Sequence, residues 1–195
     1  MQRIITLFMC FAWAFILSSS LLADVIKKAD SETGLKSWLL EEGGITLEIV
    51  QRLPDQTRAF FQGRGFSVQI ADDIANSCVF QAIGRNDLRG ERSASLSFVL
   101  KQWRIKHGNT EYPIKLQETW SREWSGRSVP TASRVAFRWA MFPTEQFFTS
   151  EGDYGWGMVS FGLEPGTEFD LHVFWTLNGH IYDAWVNNVE CAKDR

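Results

Sequence analysis

Near the C-terminus two apolar-rich runs flank Asn178-Gly179, one from Gly166 to Leu177 and the other from His180 to Cys191. Asn-Gly in that setting specifies a two-residue type I′ hairpin, because both central residues must take positive φ. So short a turn sets the register: Leu177 faces His180, Trp175 faces Tyr182, Val173 faces Ala184 and Leu171 faces Val186. That face is almost wholly apolar. The opposite face pairs Thr176 with Ile181, Phe174 with Asp183, His172 with Trp185 and Asp170 with Asn187, and is mixed. One buried and one mixed face point to an antiparallel, sandwich-like domain.

The aromatic content supports that architecture. Nine Trp and fifteen Phe stand against three Tyr, and large rings suit the space between two sheets. The N-terminus reads as an export signal over residues 1–23. Arg3 is the only charge before Asp24, Ile4 to Leu17 is apolar or weakly polar, and Leu21-Leu22-Ala23 supplies small residues for cleavage after Ala23. The rival reading is an uncleaved anchor. With cleavage, residues 24–195 form a single domain with no membrane span, and the expected location is periplasmic or secreted. That domain carries 19 basic and 23 acidic residues, a formal charge of −4, with no basic block. A nucleic-acid partner is not expected.

Export makes the cysteines informative. Cys10 lies in the signal, which leaves Cys78 and Cys191. In an oxidising compartment two cysteines predict a structural disulfide; a redox pair would be expected in a Cys-x-x-Cys spacing.

Along the chain, Ser31 to Gly43 reads as a short helix carrying Leu35, Trp38 and Leu39, and Ile45–Val50 as the first strand. Pro54 to Gly63 has the start and stop signals of a helix, with Arg58 and Arg64 placed to complement its dipole. A second helical segment covers Ala71–Ala75, and Cys78–Ile83 is a strand. The following loop carries Arg85, Arg89 and Arg92, interleaved with Asp87 and Glu91. Ala94–Lys106 and Glu111–Leu116 form a second hairpin, and Trp120 and Trp124 sit on a helical turn. Arg134–Met141 reads as a strand with Val135, Phe137 and Trp139 inward; Thr144–Phe148 is a turn, and Gly152–Gly157 a flexible bridge into the strand Met158–Phe161. The total is seven or eight strands with short helices at the crossings.

Catalytic motifs are missing: there is no Gly-x-Ser-x-Gly, zinc-hydrolase motif, Walker loop or dinucleotide fingerprint. His172, beside Asp170 and Asp183, is the residue through which a hydrolase or a metal site is conceivable. Copper handling would draw on His172, Met158 and Met141, since thioether and imidazole ligands suit it. The third source of chemistry is the tryptophans. Trp139 and Trp175 are read as core. Trp156 and Trp185 are read as candidates for contact with a partner, and Trp120 with Trp124 as a platform.

The strand-and-turn pattern resembles exported immunoglobulin-like or cupredoxin-like sandwiches. The resemblance implies the architecture and carries no functional residues across. The expected function is a non-catalytic binding, accessory or assembly protein of the cell envelope, without a cofactor. Its partner is a protein or glycan, and its contact surface comprises Tyr154, Trp156, His172, Phe174 and Trp185. Copper handling is the first alternative, and a hydrolase without a recognisable motif the second.

Overall fold

A computed structural model describes residues 24–88 and 95–194. Residues 1–23, over which an export signal is expected, with Cys10, and the loop residues Arg89, Glu91 and Arg92, lie outside the described residues. Among those described, no helix is long and apolar enough to cross a membrane.

The chain opens with a hairpin rather than a helix. β1 (Asp24–Ala29) pairs antiparallel with β2 (Lys36–Glu42), which pairs with β3 (Ile45–Gln51). Asp30, not Ser31, organises the first turn: its carboxylate accepts from the Glu32 and Thr33 amides at 3.1 and 2.7 Å. Trp38 and Leu40 alternate into the core, a period of two that overrides the helical spacing. Gly43 and Gly44, at φ 54° and 80°, form a two-residue turn into β3 instead of ending a helix.

α1 (Pro54–Gln62) begins on its proline and ends at Gly63, as the signals predict. α2 (Val68–Ala75) starts earlier than expected, where the Ser67 hydroxyl accepts from the Ile70 amide. Arg58 does more than complement a dipole. It binds Asp55 and Asp72 and lies 3.8 Å from Asp194, tying the two helices to the chain's C-terminal end.

β4 (Val79–Asn86) is followed by β5 (Leu96–Val99), a 3₁₀ turn (Leu100–Gln102) and β6 (Arg104–His107), which forms a hairpin with β7 (Thr110–Pro113). The single strand expected over Ala94–Lys106 is therefore broken. α3 (Gln117–Glu123) and α4 (Thr131–Ala140) come next. Then follow β8 (Glu145–Phe148) where a turn is expected, β9 (Tyr154–Ser160), which contains the expected strand from Met158 and extends back through the expected bridge, and the final hairpin of β10 (Glu168–Leu177) and β11 (His180–Glu190).

These strands make two antiparallel sheets. The first runs β1-β2-β3-β4-β9; in the second, β11 lies along one edge of β10 while β5 and β6 share the other, with β8 beyond β5 and β7 beyond β6. The 3₁₀ turn lets β5 and β6 follow one edge with a register jump. Phe98 opposes Trp175 and Arg104 opposes His172, six residues on one side against three on the other. Trp103 leaves that turn fully buried and donates its indole N–H to the Phe174 carbonyl at 3.0 Å.

The expected antiparallel sandwich is what forms. Leu47, Phe80 and Val159 from the first sheet pack against Phe98, Val173 and Trp175 from the second. Cys78 and Cys191 join in a disulfide, with Cα atoms 5.2 Å apart, linking the start of β4 to the end of β11. Within this core the disulfide, β3, β4 and the final hairpin form as expected, while β2 and the broken β5–β6 run are corrections.

α4 is the largest correction. Val135, Phe137 and Trp139 alternate, but five residues of alternation do not separate a strand from a helix. The better pattern is Ser133, Phe137 and Met141, four apart and all buried, in a stretch rich in Ala and Arg. Trp139 consequently points away from the core. α4 and the other helices cover the outer face of the first sheet around a second core of Phe61, Phe66, Trp120, Trp124 and Phe137, which packs on Val79 and Met158. Trp120 and Trp124 are each 1% exposed, with ring centroids 5.8 Å apart, so they are core and not a platform.

Candidate functional site

The five residues expected to form one contact surface fall into two groups. Along β10, Leu171, Val173 and Trp175 face the sandwich core, so His172 and Phe174 face outward, with Trp185 from β11 beside them. Along β9, Val159 faces the sandwich core and Met158 the helix-side core, so Tyr154 and Trp156 share the helix-covered face of the other sheet. The sandwich separates the two groups.

The His172 group is packed in on itself. Trp185 stacks on the imidazole with centroids 4.1 Å apart and planes 16° apart, Phe174 lies 4.2 Å away, and Nε2 sits 2.6 Å from Asp183 Oδ2. The histidine is held by one carboxylate and two rings, an arrangement that fixes its orientation. Asp170 does not join it: its carboxylate accepts from the Asn188 amide at 2.9 Å, at a bulge that displaces the expected Asp170–Asn187 pairing. The residues considered for copper do not converge either. Met141 and Met158 are buried neighbours in the helix-side core, on the far side of the sandwich from His172. Among the described residues no group of three or more His, Cys, Asp and Glu is placed to hold a metal ion.

Tyr154 and Trp156 are set by the turn before them. Asp153 accepts from the Thr149 and Ser150 amides at 2.8 and 2.9 Å, and these bonds hold its pKa below the usual carboxylate value. A depressed folded pKa contributes stability that is present above the group's ordinary pKa of 3.8 and is lost as pH falls through the folded value. Asp153→Ala is therefore expected to destabilise the protein at pH 7, with the difference from wild type shrinking in urea titrations as pH falls below 3.8.

Trp156 opens onto a groove of about 670 Å³ between α4, α1 and the outer face of the first sheet, within the ~300–1,000 Å³ range of small-molecule sites. Trp139 from α4, 84% exposed, lines it together with Trp156, 63% exposed. At the α1 end stand Arg52, Phe60 and Arg64. The Arg64 guanidinium lies 3.3 Å over the Phe60 ring and donates to the Phe60 carbonyl at 2.9 Å; that of Arg52 is 5.9 Å from the same ring. Arg52 Nε is buried without a hydrogen-bond partner. Burial pushes the Arg52 pKa below its ordinary value, with no carboxylate acting against it, although a guanidinium stays charged at neutral pH.

Sequence reasoning missed Arg52, Phe60, Arg64 and Trp139 as site residues. Trp139 was hidden by the strand reading of α4. For Arg52 there was a usable signal: a cation directly ahead of Leu53-Pro54 sits at the positive end of the α1 dipole, where the helix disfavours it. No family model, curated protein or solved structure matches this chain, so the groove's chemistry is read from its own residues.

Proposed function

We propose that the protein is a non-catalytic binding protein exported to the cell envelope, and that it binds its partner in the groove between α4 and the first sheet. The observation that carries this reading is the pair of exposed indoles, Trp139 and Trp156, on two different elements and lining one groove. Large apolar side chains left exposed together in a concave site mark contact with a ligand or partner. The apolar segment ahead of Asp24 and the Cys78–Cys191 bridge support export, since disulfides persist in oxidising compartments. The His172, Phe174 and Trp185 group is assigned to stabilising the outer face of the final hairpin, because its polar and aromatic surfaces are spent on one another.

Site-specific photocrosslinking in the producing cells separates the two faces. A photoreactive residue at position 139 is expected to give a covalent adduct visible by intact mass, and one at position 185 is expected to give none. Adducts from 185 alone would move the binding surface to the opposite face of the sandwich.

A further inference from the structure

The geometry points to the ligand of this groove: a small anionic amphiphile, with a carboxylate or phosphate head held by Arg52 and Arg64 and an apolar body lying along Trp139 and Trp156. The inference rests on the groove being the binding surface. The charge argument comes first. Two guanidiniums share the Phe60 ring, and among the described residues no Asp or Glu lines the groove. Arg58, one turn before Gln62 on α1, shows the contrast, being bound by carboxylates. Arg52 lines the groove, and its buried Nε has no acceptor in the protein, so its guanidinium is not already committed there to a carboxylate.

A backbone positive end adds to this. The first turn of α4, Thr131 and Ala132, borders the groove with no side chain capping it. An anion bound here meets two guanidiniums and one helix start.

The remaining walls choose the body. Ala132, Ala136 and Ala140, four apart on α4, leave a shallow apolar wall beneath Trp139, and Met158 closes the sheet side. A glycan needs several neutral hydrogen-bonding side chains, whereas the groove offers only Gln81 and Thr131, and the Gln81 amide nitrogen already donates to the Gly157 carbonyl at 3.2 Å. A peptide adding as a strand needs a free sheet edge. The groove lies on a sheet face, and the adjoining edge of β9 is taken by Met141 and Phe142. An acyl or similarly apolar body needs neither.

The test titrates the full chain with four dodecyl probes below micelle formation, read by tryptophan fluorescence and calorimetry. Dodecanoate and dodecyl phosphate carry the two candidate heads, dodecyl maltoside carries no charge, and dodecyltrimethylammonium carries the opposite one. At least one anion is expected to saturate the groove tenfold or more tighter than the maltoside, and the tighter anion identifies the head. Arg52→Gln and Arg64→Gln are each expected to weaken anion binding tenfold or more while leaving the maltoside unchanged. Arg138→Gln, on α4 but outside the groove, is expected to change neither. Equal binding of anionic and neutral probes, or anion binding unaltered in both arginine variants, would overturn the assignment. If no probe binds while position 139 still yields its adduct, the amphiphile is wrong and the groove stands; loss of both removes the two together.

Discussion

Replacing Cys78 and Cys191 together by alanine is expected to cost about 4–5 kcal/mol of stability, from the entropy of a loop of this size. The bridge spans 113 residues and joins the two sheets at one end of the sandwich. Both cysteines are buried, so alanine adds no unsatisfied polar atom. For a chain of this length the loss corresponds to a fall in Tm of roughly 10–15 °C. The neighbouring backbone also depends on it: the Cys78 carbonyl accepts from the Phe161 amide at 3.1 Å, and the Cys191 amide donates to the Thr167 carbonyl at 2.9 Å. Calorimetry of the double variant checks this, with wild type in reductant as the parallel arm. A Tm within 3 °C of the oxidised protein in both arms would show that the bridge constrains little.

Gly157→Ala is expected to be strongly damaging, costing about 3 kcal/mol or more, the upper range for overpacking. An added Cβ would lie 2.3 Å from the Phe142 nitrogen, 2.5 Å from its Cα and 2.6 Å from the Met141 carbonyl carbon. All three are backbone atoms, so no side-chain rotation relieves the overlap. The close approach also carries a hydrogen bond, Phe142 N–H to the Met158 carbonyl at 2.8 Å, by which the chain leaving α4 closes the edge of β9. Gly63→Ala is the control, since its Cβ would come no closer than 3.4 Å to anything. Urea unfolding should separate the two clearly; equal midpoints would mean that β9 and the Met141–Phe142 segment are not in contact. Because β9 carries Trp156 and α4 carries Trp139, the variant is also expected to disorder the groove.

The final hairpin was legible because its two-residue turn leaves a single register, and the pairs from Leu177–His180 to Leu171–Val186 form as read. The reading fails only beyond them, where Asn188 adopts φ 54° and inserts a bulge that no local pattern announces. α1 was legible from Pro54 and Gly63, and the disulfide from there being two cysteines after Asp24. What stayed hidden was tertiary. Gly43-Gly44 serves equally as a helix stop and as a hairpin turn, and the alternation in β2 decides between them. Trp120 and Trp124 became core because α4 packs on them, and α4 was itself misread. The groove draws on the end of β3, on α1, β4 and β9, and on α4, so its two arginines and two tryptophans are brought together only by the fold.

The most direct measurement is native mass spectrometry of the protein taken from the envelope fraction, alongside the Trp139→Ala/Trp156→Ala variant. The account predicts a disulfide-bonded chain beginning at Asp24 that carries a small anionic adduct, with the adduct missing from a variant that remains folded. A bare wild-type chain, an adduct retained by the double variant, or a bound copper ion in its place would contradict it.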